Sequence, residues 1–83
     1  MAEYQGWRSW NAWNVALYIA NEEPLYRLAV KALRDTRTLD RAVSAFIVNA
    51  GGILGDKTPD GAIYNRRCIK EALASLEIEQ KGE

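Results

Sequence analysis

Apolar residues recur along the chain at the spacing of α-helices, and capping residues and helix breakers divide the pattern into four segments. The first is predicted to begin at Trp10, because the Ser9 hydroxyl can accept a hydrogen bond from an unpaired backbone N–H, and to run to about Ala20. Apolar residues cover most sides of this helix, so we expect several neighbours to bury it. The second runs from about Pro24 to Asp35, since proline is tolerated in a first turn.

The third predicted helix runs from Leu39, behind a capping Thr38, to about Ala50. Two consecutive glycines, Gly51–Gly52, are expected to end it. The residues after them are expected to form a loop that carries two apolar side chains, Ile53 and Leu54. The β-branched run at residues 46–48 leaves a short strand as an alternative.

The fourth helix has two candidate starts. The segment Thr58–Gly61 opens with a capping threonine and a proline, which suits either a helix N-terminus or a simple turn. We expect the helix to run from about Pro59 or Ala62 to Leu76, and the tail from Glu77 onward to fray. The pattern therefore predicts an all-α fold, a compact bundle of about four short helices in a single domain covering all 83 residues.

The last three helices each have a predicted inner face made of small and branched apolar residues. These are Leu25, Leu28, Ala29, Ala32 and Leu33, then Leu39, Ala42, Val43, Phe46 and Ile47, and finally Ala62, Ile69, Ala72, Leu73 and Leu76. Aromatic residues are concentrated instead at the beginning of the chain, at Tyr4, Trp7, Trp10, Trp13 and Tyr18. We expect the indoles to form the core, because three of them bury a large apolar area. The alternative is that at least one tryptophan is exposed and contacts a partner, and Trp7 is our candidate.

Composition places the chain among ordinary globular domains, with 48% apolar and 27% charged residues. Eleven basic residues balance eleven acidic ones, so binding to nucleic acid or an anionic membrane would require a local patch. Two local clusters exist: Arg27, Lys31, Arg34, Arg37 and Arg41, then Arg66, Arg67 and Lys70. Each is either the solvated outer face of a helix or a contact for phosphates or an acidic protein surface.

Catalytic chemistry has little support in the sequence. Without histidine, the chain lacks the usual proton shuttle and the commonest nitrogen ligand for metals. Cys68 is the single cysteine, interpreted as a packing residue, with a reactive thiol near basic residues as the alternative. Gly51 and Lys57–Thr58 approximate a phosphate-binding loop but lack its strand and its second glycine. We therefore predict a protein that is not an enzyme and that uses no cofactor or metal.

Location and assembly can also be predicted. The lone cysteine, the absence of a signal-like N-terminus and the lack of a long apolar stretch favour a cytoplasmic location, with no membrane partner. A chain this short buries a small core, so stability requires tight packing or self-association. A homodimer is therefore kept as an alternative to a monomer.

Residues Tyr4–Leu17 resemble the opening of small uncharacterised proteins encoded by phages and plasmids, with the rough pattern N-G-W-x-N-Y-x-T-W-N-V-x-L-W. The aligned positions are Gly6, Trp7, Trp13, Asn14, Val15 and Leu17, and Thr58–Gly61 resembles a second segment of that family. Ser9, Trp10 and Ala12 depart from the pattern. The resemblance implies an accessory protein of a mobile element, and small proteins of that origin often block host machinery.

The leading functional hypothesis is an accessory protein that binds and inhibits a host protein or complex, such as a CRISPR or restriction defence system or a nucleic-acid-handling complex. The alternatives are a small DNA- or RNA-binding module that uses the basic helix faces, and a structural or assembly factor. The predicted contact residues are Arg27, Lys31, Arg34, Arg37, Arg66, Arg67, Lys70 and Trp7.

Overall fold

Four α-helices form the part of the protein that the computed structural model describes, which is residue 7 and residues 9–81. They are α1 (Trp10–Asn21), α2 (Glu23–Asp35), α3 (Leu39–Leu54) and α4 (Arg66–Lys81). Helix α1 packs against α4 and α2, and α3 packs against α2 and α4. Over residues 9–81 no β-strand forms, so the predicted all-α bundle is confirmed. None of these helices is long and apolar enough to cross a membrane.

The helix starts follow the predicted caps. The Ser9 hydroxyl accepts a hydrogen bond from the backbone N–H of Ala12 at 3.2 Å, and the Thr38 hydroxyl accepts one from Arg41 at the same distance. Helix α2 has Pro24 in its first turn, as expected. These local signals therefore locate the beginnings of α1, α2 and α3 correctly.

Helix α3 is longer than predicted, because it continues through Gly51–Gly52 to Leu54. A glycine inside a helix costs about 1 kcal/mol relative to alanine, which the packing of half-buried Leu54 against the core can offset. The helix ends at Gly55, whose φ of 67° is a conformation that favours glycine. The strand alternative for residues 46–48 is wrong, since all three are helical.

Helix α4 begins at Arg66, later than either predicted start. The segment Thr58–Gly61 forms a turn instead, in which Gly61 has a φ of 97° and its N–H donates to the Thr58 carbonyl at 2.9 Å. Asn65 caps α4, accepting a hydrogen bond from the Cys68 N–H at 2.8 Å. The helix then continues to Lys81. The prediction that the chain frays from Glu77 is therefore wrong for residues 77–81. Residues 82–83 lie outside the described part.

The core is built from aliphatic residues, alanines and one phenylalanine rather than from indoles. Its largest fully buried apolar side chains are Phe46, Ile19, Ile69, Leu73, Val15 and Val43. The predicted inner residues of α2, α3 and α4 are buried or half-buried, as expected. Seven of the buried core residues are alanines, and such small side chains let the helices approach closely, so the interior packs without voids and without indoles.

The indoles lie at the edge of the core, so the prediction that they form it is wrong. Helix α1 buries the face that carries Ala12, Val15 and Ile19, and the adjacent face with Trp10 and Trp13 lies at its margin. Trp10 is 39% exposed, and the other two tryptophans are half-buried. Of the remaining early aromatic residues, Tyr18 is half-buried and Tyr4 lies outside the described residues.

Candidate binding surfaces

Polar side chains of α1 hold the loop between α3 and α4. Asn14 is 1% exposed, its Nδ2 donates to Asp60 Oδ2 at 3.0 Å, and its Oδ1 accepts from the Thr58 hydroxyl at 2.6 Å. The Thr58 hydroxyl oxygen also accepts from the Ala62 N–H at 3.0 Å, and Asp60 Oδ2 accepts from the Tyr18 hydroxyl at 3.2 Å. Because buried polar groups require partners, these bonds fix the turn against the helix.

Asn11, on the same face of α1, binds the loop at a second point. Its Oδ1 accepts from the Ile63 N–H at 2.7 Å, and its Nδ2 donates to the Ile63 carbonyl at 2.9 Å. The same Nδ2 lies 3.2 Å from the sulfur of Cys68, which is buried, in agreement with its interpretation as a packing residue. We call Asn11, Asn14, Tyr18, Thr58 and Asp60 the α1–loop network.

A pocket of about 370 Å³ lies where the loop meets the junction of α1 and α2 and the end of α3. Its polar rim consists of Tyr18, Glu22, Lys57 and Tyr64. Its apolar walls consist of Pro24, Leu25, Ile53, Leu54 and Pro59. We call this space the tyrosine pocket. The α1–loop network forms one of its sides, because Tyr18 belongs to both.

Both phenols of the tyrosine pocket are kept in the neutral form. Loss of solvent contact, followed by the hydrogen bond to Asp60, raises the pKa of Tyr18 above its usual value of 10.0. Burial raises the pKa of Tyr64 in the same direction, and the negative charge of Glu22 adds to the shift. Since Glu22 acts on both hydroxyls, the three side chains share one local environment.

A second depression, of about 220 Å³, lies between α1 and α4. We call it the indole groove, and it is lined by Trp7, Trp13, Ala16, Leu17, Ala20, Ala72, Ser75 and Leu76. Apart from the Ser75 hydroxyl, its side chains are apolar or aromatic. Trp7, which the sequence singled out as a partner contact, is thus half-buried in the wall of an apolar groove.

The basic side chains of α2 point to solvent, as the amphipathic pattern predicts. Arg27 pairs with Glu23 one turn earlier, and Lys31 Nζ lies 2.8 Å from Asp35 Oδ2. Both pairs are exposed, so each places an acid beside a base on the same helix. The charges of Arg27 and Lys31 are therefore largely balanced locally.

The remaining basic residues of this cluster surround the turn between α2 and α3. Arg34, Arg37 and Arg41 form no ion pair with an acidic side chain in the described part of the chain. Arg37 and Arg41 line a depression together with Asp35, Thr36 and Thr38. This end of the bundle therefore carries three guanidinium groups outside any ion pair of the described residues, with the Asp35 carboxylate beside them.

The basic cluster of α4 is tied to the start of α3. Lys70 Nζ lies 2.8 Å from Asp40 Oδ1, and the Arg66 guanidinium donates to the Asp40 carbonyl at 3.0 Å. The hydrogen bond and charge of Lys70 hold the pKa of Asp40 below its usual value. Arg67 lies 3.9 Å from Glu71 on its own helix. We call Asp40, Arg66 and Lys70 the ionic clamp, because they join two helices.

Sequence reasoning did not assign any role to Asn11, Thr58 or Asp60 beyond local structure. One signal was available, since asparagine is unfavourable in a helix interior and Asn11 and Asn14 lie one turn apart in α1. A pair of such residues on one helix face indicates polar contacts outside the helix. Their partners, 46 positions away for Asp60 and 52 for Ile63, are not readable from local pattern.

The chain belongs to a family of unknown function, DUF7249, which it matches over residues 1–82. Membership of an uncharacterised family is thus confirmed. The match includes Asn14 in α1 and the turn Thr58–Gly61, which the α1–loop network joins. No curated protein and no solved structure matches the chain.

Proposed function

We propose that this protein is an accessory protein of a phage or plasmid that binds a host protein or complex and inhibits it by occupying a surface. The observation that carries the proposal is the indole groove, where two tryptophans face an apolar depression at the molecular surface. The mobile-element origin rests on the resemblance of residues Tyr4–Leu17. A defence complex of the CRISPR or restriction type, or a nucleic-acid-handling complex in the host cytoplasm, is the target that such an origin suggests.

The indole groove has the composition of a protein-binding surface. Tryptophan is among the residues that contribute most to interface affinity, particularly when it lies in a well-packed pocket from which the partner excludes water. Trp7 and Trp13 stand beside Ala16, Ala20 and Ala72 in this arrangement. Covering the exposed part of the two indoles removes apolar area from water, which favours association by about 25 cal/mol per Å².

The basic residues support a protein partner less directly. Arg27, Lys31 and Lys70 already pair with acidic side chains, and the whole chain carries no net charge. A protein that follows nucleic-acid phosphates needs several cations free to displace counterions. The ion pairs within α2 and between α3 and α4 therefore weigh against nucleic acid as the main partner.

A DNA- or RNA-binding module is the second candidate, and one observation favours it. Arg34, Arg37 and Arg41 cluster at the turn between α2 and α3 and form no ion pair among the described residues. Three guanidinium groups at one end of a small bundle suit contact with consecutive phosphates. This candidate places the contact at a different end of the molecule from the indole groove.

The test of the main proposal is affinity purification of the tagged protein from host cells, with tryptophan variants compared side by side. We expect Trp13→Ala to lose the partner, because Trp13 lines the groove. Trp10→Ala is the matched control, because Trp10 is exposed on the same helix outside the groove lining. Helical circular dichroism of each variant must match the wild type, and the purified partner must lose its activity on addition of the wild-type protein.

Two outcomes would contradict this proposal: recovery of the same partner by Trp13→Ala as by the wild type, or recovery of no partner at all. The nucleic-acid candidate is tested by gel shifts at low salt. Binding that falls steeply with salt and disappears in the Arg34→Gln, Arg37→Gln, Arg41→Gln triple variant would favour it. Arg27→Gln is the control, since Arg27 is already paired with Glu23.

A further inference from the structure

We propose that the tyrosine pocket binds the side chain of an arginine from the protein partner. The inference rests on the proposed function in one respect, namely that the arginine belongs to a protein partner. The pocket is separate from the indole groove, and the two linings share no residue. It would therefore give the partner a second point of attachment.

The dimensions of the pocket suit one long side chain. Its volume of about 370 Å³ lies near the lower end of the range found for ligand-binding pockets. The walls contributed by Pro24, Pro59 and Ile53 are apolar, and Ile53 is 56% exposed. The methylene groups of an arginine can pack on these residues while its guanidinium reaches the polar rim.

The balance of charge at the rim favours a cation. Glu22 makes no ion pair or side-chain hydrogen bond within the described part of the chain, and Asp60 lies behind the Tyr18 hydroxyl. One ammonium group, that of Lys57, lies on the same rim, and it is farther from Glu22 than an ion pair allows. The lining itself carries one carboxylate and one ammonium, and Asp60, just outside the lining, adds a second carboxylate to this region.

An anion is a poorer match for the same place. The start of α2 lies here, and a helix start normally offers backbone N–H groups to an anion. Pro24, in the first turn of α2, has no N–H to offer, and the Glu22 carboxylate would repel a negative ligand. Apart from the Lys57 ammonium, the polar groups on the rim therefore suit a positive charge better than a negative one.

The aromatic rings distinguish arginine from lysine. A planar guanidinium stacks on an aromatic ring and donates several hydrogen bonds in one plane, whereas an ammonium is a compact and strongly hydrated charge. Tyr18 and Tyr64 supply two rings beside the Glu22 carboxylate. The arrangement of rings and acid fits a stacked guanidinium that donates to the carboxylate.

The side of the pocket formed by the loop is held in place before any ligand arrives. Pro59 lies between Thr58 and Asp60, both of which are hydrogen-bonded to Asn14. The Tyr18 hydroxyl is likewise bound to Asp60. Since fewer groups need to be ordered on binding, the entropy cost of receiving a side chain is reduced.

The test is an NMR titration of the full chain with blocked single amino acids, which requires no knowledge of the partner. The probes are N-acetyl-arginine methylamide, the corresponding lysine and glutamate compounds, and the diamine putrescine. We expect saturable shifts at Ile53 and Tyr64 with the arginine probe. The lysine probe should bind at least about threefold more weakly, because it stacks less well on the rings. The glutamate probe should leave these signals unchanged.

Variants of two neighbouring acids locate the effect. Glu22→Gln should weaken binding of the arginine probe by about fivefold to tenfold, because the charge-assisted hydrogen bond is lost. Glu23→Gln is the matched control, since Glu23 pairs with Arg27 and does not line the pocket. Its affinity for the probe should equal that of the wild type, and both variants should retain the wild-type melting temperature within a few degrees.

Several results would overturn the inference. These are no saturable shift with the arginine probe, equal binding of the glutamate probe, an unchanged affinity in Glu22→Gln, and binding of putrescine as tight as that of the arginine probe. The last result would indicate a site for small diamines instead. If Trp13→Ala loses a host partner while the arginine probe fails to bind, the proposed function stands and this inference alone is wrong.

Discussion

Two sets of polar side chains join the last third of the chain to the helices before it, and they differ mainly in burial. In the α1–loop network, Asn14 and Thr58 are 1% and 4% exposed. In the ionic clamp, the side chains of Lys70 and Asp40 are 45% and 67% exposed. The first set is made largely of neutral amide and hydroxyl groups, and the second of full charges.

This difference decides which set matters more for stability. A hydrogen bond between buried groups cannot be replaced by water without a rearrangement, so its loss leaves a donor or acceptor unpaired. An exposed ion pair competes with water and salt, and its loss leaves both ions solvated. We therefore expect the fold to depend more on the buried Asn14 of α1 than on the charges that stand out in the sequence.

The largest effect is expected for Asn14→Ala. The change leaves the buried Thr58 hydroxyl without its acceptor and removes the donor to Asp60, at a cost of about 2–4 kcal/mol in the free energy of unfolding. Denaturant unfolding followed by circular dichroism measures it. Asn21→Ala, at the exposed end of α1, is the matched control and should be nearly neutral. Equal stabilities of the two variants would show that the network contributes little.

A smaller loss is expected for Thr58→Val, which removes the hydroxyl but keeps the branched shape. Asn14 Oδ1 then loses its donor and the Ala62 N–H its acceptor, which costs about 1–3 kcal/mol. Thr58→Ser keeps the hydroxyl and should recover most of the stability in the same unfolding experiment. If serine and valine are equally destabilising, packing of the methyl group and not hydrogen bonding is responsible.

Alkaline pH should weaken the network gradually. The pKa of Tyr18 is raised in the folded protein, so the neutral phenol is favoured there, and its contribution is complete below the unfolded value of 10.0. That contribution is lost as the pH rises through the higher pKa of the folded state, and Tyr64 acts in the same direction. Thermal melts between neutral pH and pH values above 10.0 should show a falling melting temperature. A Tyr18→Phe variant with the same pH dependence as the wild type would contradict this assignment.

The smallest effect is expected in the ionic clamp. Lys70→Met removes the partner of Asp40 but keeps an apolar side chain of similar length, so the stability loss should be less than for Thr58→Val. Because the pKa of Asp40 is lowered in the fold, its contribution is present above 3.8 and is lost as the pH falls through the lower folded value. Melting at neutral pH, with and without high salt, provides the measurement. A loss as large as that of Asn14→Ala would reverse the comparison.

Local sequence signals predicted much of the fold, because helix caps and amphipathic faces depend on neighbours in the chain. Ser9 and Thr38 marked the starts of α1 and α3 correctly, and the outward direction of Arg27 and Lys31 followed from helical spacing. Gly51–Gly52 misled the prediction, since packing of the residues around the glycines outweighs their low helix propensity.

The candidate surfaces were less predictable, because they depend on contacts between distant residues. Trp7 was recognised as a possible contact from its residue type alone, but the groove that it lines requires α1 and α4 to lie side by side. The tyrosine pocket combines Tyr18 and Glu22 with Tyr64, more than forty positions later in the chain. No local periodicity carries that information.

The hydrogen bonds between Asn11 and Ile63 have a consequence for association between copies of the chain. Lys57 and Ile63 form an isolated antiparallel bridge, the smallest possible piece of β-ladder. Asn11 presents Ile63 with one acceptor and one donor, the same two groups that a neighbouring strand would offer. An open ladder edge is a template on which another extended segment can add. Because the Asn11 side chain occupies both the N–H and the carbonyl of Ile63, we expect it to disfavour the addition of a further strand at this point of the loop.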